Sequence, residues 1–518
     1  MDKFNMVAKT LQGLEEVLAS ELTALGAEDV QQGCRVVSFT GDLAMMYRAN
    51  FCLRTALRVL KPIKVFEAHS ADEVYEAVHD IDWSQYLTLK TSFSVDSVVY
   101  SDDFRHSKFV AYKVKDAIVD FFREQTGQRP NISVSNPDIR LNIHINGTDC
   151  TLSLDSSGES LHKRGYRVAT VESPINEVLA AGMLMMTGWQ GECDLIDPMC
   201  GSGTIAIEAA LLARNIWPGV FHTEKYAFEN WADFDPDLLQ EIYNDDSHER
   251  PFEHKIYARD IDPAAINAAT ANARSAGVAD CMVIEVQPFQ QFKQPTERAV
   301  MVMNPPYGER ISSPNLLGLY RSIGEKLKHQ FVGNDAWVIS YRQEAFESIG
   351  LRPSLRIPLF NGALECEFRK YQTFDGKFKE FRTEGGEIKS DDDRRRMREM
   401  RPLRHFARRD ESDNEDEIPE YLRMRHRHYM AAQRRKEGAE GGSEAQRSDS
   451  PSERRAFPRR NTGRRPFRDD RGPGDGSLRR FGDRKKSFDD RKKSFGDRDR
   501  RPSKPRSRSP WAKDNEKN

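Results

Sequence analysis

A chain of 518 residues is too long for one hydrophobic core and divides into two or three folded domains plus tails. Its formal net charge of −2 hides a division: from Phe381 onward there are 41 Lys+Arg against 28 Asp+Glu, which leaves 38 against 53 in residues 1–380. A basic tail on an acidic body points to nucleic acid, and confines any RNA site on the body to a local patch. Seven scattered cysteines without a C-x-x-C pair argue against a disulfide framework or a thiolate metal site. No apolar run approaches ~18 residues and the N-terminus lacks an apolar signal core, so the chain reads as soluble and cytoplasmic.

In chain order, Gly13 to Leu25 has helical apolar spacing ended by Gly26, and RVVSFTG at 35–41 reads as a strand and turn. A second α+β unit follows, with a strand at 91–101, a helix over Lys108–Glu124 and the strands IRLNIHI and CTLSLDSSG. SLHKRGYR at 160–167 reads as a basic linker. From Pro174 the pattern becomes strand–loop–helix repeats: INEVLAAGMLMMTGW, CDLID, the turn PMCGSG and TIAIEAALLA, then an insertion rich in Trp and Phe at 214–253. HKIYARD, PAAINAATANARSAG, CMVIEV, AVMVMNPPYGER, LLGLYRSIGEKLKHQF, AWVIS and LECEFRKYQTF complete a succession that predicts a doubly wound parallel sheet. Beyond ~380 the apolar fraction collapses, which predicts a disordered basic tail; one helix around Asp393–Arg409 could form on a partner.

The first chemical signal is LIDPMCGSGT, Leu195 to Thr204. A strand delivers Asp197 to its carboxyl end, and Gly201 and Gly203 let a turn approach a ligand before a helix begins. The spacing Gly201-x-Gly203-x-x-Ala206 also fits a dinucleotide fingerprint. However, Asp197 would repel a pyrophosphate and attract an ammonium or sulfonium, and the next strand-end carboxylate, Asp260, is 57 residues after Gly203 instead of about 20. Asp260 is placed to accept ribose hydroxyls; Asp262, before Pro263, reads mainly as a helix N-cap.

Asn304-Pro305-Pro306-Tyr307 follows the apolar strand AVMVM. An exocyclic amino group on a base is a poor nucleophile because its lone pair is delocalised into the ring. The Asn304 side-chain oxygen and the Pro305 carbonyl could accept both amino hydrogens, orient the lone pair and stabilise the charge growing on nitrogen. Two prolines fix the backbone, and the Tyr307 ring can stack on the base. Asn-Pro is also a common turn dipeptide; the preceding glycine turn and strand-end carboxylates favour the catalytic reading.

These motifs, with GLEEVLASEL, YRANFCLRTALRVL, IDWSQYL, HSKFVAYKVKDAIVDFFRE, LHKRGYR and WPGVFHTEKYAFENW, resemble the THUMP-containing RNA guanine-N2 methyltransferase family, over about residues 4–375. The likeness is to the single-methyltransferase-domain form of the bacterial enzymes that make N2-methylguanosine in 23S rRNA. It implies an α/β Rossmann-like class I methyltransferase domain at 165–378, preceded by an N-terminal ferredoxin-like α+β unit at 1–55 and a THUMP RNA-binding domain at 56–160. The disordered basic tail would take 379–518. It further implies S-adenosyl-L-methionine as cofactor, held by Asp197, Pro198, Cys200, Gly201, Ser202, Gly203, Thr204, Asp260 and Ile261, with Asn304, Pro305, Pro306 and Tyr307 at the target amine. Cys200 is a small turn residue, not a nucleophile. Where the family usually has an aspartate for adenine N6 the chain has VQPFQQ, with Pro288 at the expected place; Gln287 or backbone would substitute.

RNA contacts are expected from His162, Lys163, Arg164 and Arg167, with Arg105, His106 and Lys108, and from the tail. The implied chemistry is direct transfer to a flipped guanine by a monomer that needs no metal. The rivals are a tRNA guanine-N2 enzyme, a DNA adenine-N6 enzyme sharing NPPY, and a non-catalytic ribosome-assembly factor on the same fold.

Overall fold

The computed structural model describes residues 2–104, 106–308 and 316–374, all within one compact unit. The expected tail and the helix around Asp393–Arg409 lie outside the described residues.

The N-terminal half begins with β1 (Phe4–Lys9), α1 (Glu15–Ala24), β2 (Glu28–Gln32), β3 (Val36–Gly41) and α2 (Leu43–Cys52), the last capped by the Asp42 carboxylate on the Met45 N–H. There follow β4 (Arg58–Glu67), α3 (Ala71–His79), β5 (Ser92–Tyr100), α4 (Ser107–Thr126), β6 (Asn131–Ile132), β7 (Ile139–Asn146) and β8 (Asp149–Asp155). These strands make one sheet of order β2-β3-β1-β4-β8-β7-β5-β6. Strand β4 joins its two parts by pairing with β1 on one side and β8 on the other. Its register shifts between Pro62 and Lys64, which accommodates a proline that cannot donate to the ladder. The division expected at residue 55 therefore falls just before a strand that both units share.

The C-terminal half contains α5 (Glu177–Thr187), β9 (Asp194–Asp197), α6 (Thr204–Ala213), α7 (Pro236–Asn244), β10 (Ile256–Asp260), α8 (Pro263–Ser275), β11 (Met282–Val286) and β12 (Ala299–Met303). It ends with α9 (Leu316–His329), β13 (Asp335–Ser340), α10 (Gln343–Ile349), β14 (Leu355–Asn361) and β15 (Leu364–Gln372). The sheet order is β11-β10-β9-β12-β13-β15-β14, parallel except that β15 runs antiparallel to both neighbours. The doubly wound methyltransferase fold expected from the sequence is thus present, with an antiparallel hairpin at one edge. Chain order reverses between β9 and β12, and ligands of open α/β sheets bind in the crevice outside the carboxyl ends at such a switch.

Two segments fasten the halves together. From the aromatic insertion, Tyr226, Phe228, Trp231 and Ile242 join the core of the N-terminal half, with Phe228 stacked on Tyr47 at 4.2 Å between ring centroids. Residues 160–167, expected as a basic linker, are instead packed: Leu161, Arg164 and Tyr166 are buried. Gly165 has φ +102°, and a Cβ there would sit 2.0 Å from the Phe221 carbonyl oxygen, so only glycine fits.

Candidate active site

Register places the key strand ends side by side. Asp197 closes β9 opposite Ala258 of β10, so Asp260 projects two residues further along its strand. Ile196 of β9 pairs with Met301 of β12, which sets Asn304 just beyond the same edge of the sheet. Short apolar runs form these strands because both faces of the sheet are covered, and each run stops where polar chemistry begins.

The turn after β9 has the backbone that its glycines require, with φ +53° at Gly201 and +83° at Gly203. A Cβ on Gly203 would lie 3.0 Å from the Ala269 Cβ, so this glycine also lets α6 approach α8 closely. One Asp260 carboxylate oxygen accepts from the Gly201 N–H at 2.9 Å and the other from the Asp262 N–H at 3.0 Å. The Asp262 side chain caps α8 by accepting from the Ala264 N–H, which is its structural role. Pro198 is buried, and Ile261 leaves 68% of its surface exposed beside Asp260.

Asp197 is the electrostatic oddity of the crevice. It is fully buried and neither oxygen has a well-formed hydrogen bond. Burial first, and the Asp260 charge second, push its carboxyl up to about 8, with partial relief from the Met199 and Ala206 N–H groups. Such a carboxyl lacks a cation. Cys200 is buried beside it, and burial with the Asp197 and Asp260 charges pushes the thiol well up, so it is no nucleophile at neutral pH.

At the other strand end, Pro305 is buried and Asn304, Pro306 and Tyr307 are half-buried. The Tyr307 hydroxyl donates to Asn304 Oδ1 at 2.7 Å and accepts from Asn361 Nδ2 at 3.4 Å. Its ring meets Tyr341 edge-on at 5.6 Å, and burial raises its hydroxyl pKa, which keeps it a donor. In this conformation Tyr307 is therefore turned onto the asparagine, and its hydroxyl takes one of the two acceptor sites of Asn304 Oδ1.

A family model described as "RMKL-like, methyltransferase domain" matches residues 164–370, a THUMP domain model matches 68–155, and an RlmL ferredoxin-like domain model matches 5–60. A Synechocystis protein named as an RNA methyltransferase is 38% identical over 370 residues, which cover 71% of this chain and 96% of that relative. The chain belongs to the THUMP-containing RNA methyltransferase family. The ribosomal RNA large subunit methyltransferase K/L of Shewanella frigidimarina is 37% identical over 375 residues, covering 71% of this chain and 52% of the relative. The chain thus spans about half the length of the K/L relatives it matches. Among solved structures, that of SMU.472 complexed with SAH superposes with a TM-score of 0.65 at 28% identity, covering 73% of this chain and all of that one.

The cofactor of this methyltransferase is S-adenosylmethionine. The orphaned Asp197 carboxyl fits it, because the methionine part brings an ammonium and a sulfonium to a buried acid that has neither a cation nor a good donor. Gln287 and Pro288 stand where the adenine contact is expected from the sequence. Gln287 Oε1 accepts from Arg259 Nε at 3.2 Å, so its side chain is already engaged, and Pro288 caps the short 3₁₀ turn Phe289–Gln291.

The methyltransferase revises the expected RNA contacts. Arg164 is only 3% exposed; it pairs with Glu208 of α6 at 3.5 Å and donates to the Arg54 and Leu161 carbonyls, so it cannot meet RNA from this position. Arg167 also turns inward, to Glu177, Ser202, Thr204 and the Ile175 carbonyl. His162 is half-buried against Ser160, and Lys163 is exposed but paired with Glu159. His106 and Lys108 are exposed at the start of α4, and Arg105 lies outside the described residues.

Reading the sequence missed the residues that hold the cofactor turn. Asn272 of α8 is fully buried; its Oδ1 accepts from the Val168 and Ala169 N–H groups and its Nδ2 donates to the Ala169 and Ser202 carbonyls. A signal was present, since asparagine is a poor residue for a helix interior unless its amide has partners.

Proposed function

We propose that the chain transfers a methyl group from S-adenosylmethionine to the 2-amino group of a guanine, in large-subunit ribosomal RNA. The observation that carries this reading is the placement of Asn304 at the carboxyl end of β12, beside the β9 strand whose end leads into the cofactor turn. The substrate class is supported by the names of the K/L relatives and by the matched THUMP domain.

The bound cofactor supplies an electrophilic methyl on a sulfonium. Asp260 would hold the ribose hydroxyls with lone pairs not used by Gly201 and Asp262, and exposed Ile261 would be covered by the adenine. Asn304 Oδ1 and the Pro305 carbonyl would accept the two amino hydrogens, which localises the nitrogen lone pair toward the methyl and stabilises the positive charge that develops. The Tyr307 hydroxyl takes one of the two acceptor sites of Asn304 Oδ1; on turning away it would free that site, and its ring would be available to stack on the flipped base. Exposed His106 and Lys108, together with the basic residues from Phe381 onward, would attract the phosphates.

Mass spectrometry of rRNA, tRNA and DNA nucleosides from a strain lacking the gene tests this reading. The expected outcome is loss of N2-methylguanosine from 23S rRNA. Loss from tRNA keeps the chemistry and overturns the substrate, and loss of N6-methyladenine from DNA overturns both.

A further inference from the structure

One segment grips both ends of the first two turns of α6, the helix that opens at the cofactor turn. Arg167 donates from Nη1 to Ser202 Oγ and from Nη2 to Thr204 Oγ1, each at 2.9 Å, while Nε bonds Glu177 at 2.8 Å. Three residues earlier Arg164 pairs with Glu208, and the Tyr166 hydroxyl donates to the same carboxylate at 2.9 Å. Ser202 and Thr204 are each 2% exposed, so their hydroxyls are spent on Arg167. Both residues were expected to bind the cofactor; their buried hydroxyls are also the handles by which Arg167 holds the turn.

We infer that Arg167 is a positioning residue for the cofactor: by bridging Ser202 and Thr204 it fixes the Gly201–Gly203 turn in its binding shape, and it takes no part in RNA binding. The Glu177 carboxylate, 5% exposed, orients the guanidinium, and a planar fork with several donors meets three acceptors that a lysine could not span. Asn272 adds a second tie between this segment and the Ser202 carbonyl. The segment lies in the connection between β8 and α5, so the turn is braced from a stretch outside the strands of its own sheet.

The test uses the full chain, with SAH as the probe in calorimetry and 23S rRNA fragments in a binding assay. Arg167→Ala should weaken SAH about tenfold, the scale of one lost charge-assisted hydrogen bond, and raise the cofactor KM more than it lowers kcat. RNA affinity should stay within twofold, and Arg167→Lys should restore only part of the loss. Because Arg167→Ala strands the Glu177 carboxylate and lowers the unfolding temperature, the pair Ser202→Ala with Thr204→Val provides a second reading that leaves the ion pair intact. This pair should weaken SAH in the wild-type background and have little further effect in Arg167→Ala. Additive losses, unchanged SAH affinity, or a selective loss of RNA affinity would each overturn the inference. Wild type that fails to bind SAH would instead remove the cofactor assignment on which it rests.

Discussion

The two sides of the catalytic crevice differ in how far they are prepared for their ligands. On the side of the glycine turn the geometry is set by the protein's own bonds: Gly201 is bonded to Asp260, Ser202 and Thr204 to Arg167, and the Ser202 carbonyl to Asn272. On the side proposed for the base, Asn304 Oδ1 already accepts one hydrogen bond, from its own neighbour Tyr307. A small, invariant cofactor can be met by a fixed site, whereas a base drawn out of a stacked RNA arrives with its own energetic cost. Under the proposed function, binding energy from the base would be drawn on to turn Tyr307 away from Asn304.

Asn304→Ala should sharpen this contrast most. The expected loss is ~10²–10³ in turnover, the magnitude for removing one positioned dipole, with SAH affinity nearly unchanged. Full activity in single-turnover assays would sink the amine-orienting role. Asp260→Ala tests the other side: SAH should bind about 1–3 kcal/mol more weakly, because hydroxyls and the Gly201 N–H lose their acceptor. Calorimetry showing equal affinity would place the ribose elsewhere.

Asp197 adds a pH signature to the prepared side. Its carboxyl is raised from 3.8 to about 8, so the fold favours the protonated form. That contribution to stability is present below the usual carboxylate range and is lost as pH rises toward about 8. A cationic ligand favours the ionised form, so cofactor binding below pH 8 should release up to one proton, and affinity should rise by at most roughly tenfold per pH unit up to that point. Calorimetry in buffers of different ionisation enthalpy measures the proton count directly. No proton release at pH 7 would show that Asp197 does not meet the charge.

Tyr307→Phe should have the smallest effect. It removes a hydrogen bond of roughly 0.5–1.5 kcal/mol that competes with the substrate amine, while the ring remains available for stacking. The expected result is an RNA KM lowered severalfold with turnover largely kept. A rise in KM, or a large fall in turnover, would mean that the hydroxyl assists the substrate and does not compete with it.

The sequence determined the parts of this methyltransferase whose logic is local. AVMVM is apolar through its length, and Leu195 and Ile196 are the apolar centre of CDLID, because both strands are buried on both faces; Asp197 ends the one and Asn304 follows the other at once. The glycines of the turn are dictated by backbone geometry and show in any reading of the chain. Asp262 was legible as a cap for the same reason, since its partner is two residues away. Strand β4 was not legible, because Pro62 and its lysines interrupt the alternation, and only pairing with β1 and β8 on both sides makes it the joint of the N-terminal sheet. The fate of the basic residues at 162–167 was likewise undecided in sequence. A charge is visible in one dimension, but its partner is not: Arg167 finds Ser202 at a separation of 35 residues, and Arg164 finds Glu208 in a neighbouring helix. Tertiary packing alone turned Arg164 and Arg167 of an apparent RNA-binding patch inward onto α6 and the glycine turn, because burial is tolerable for a guanidinium only where carboxylates and carbonyls are waiting for it.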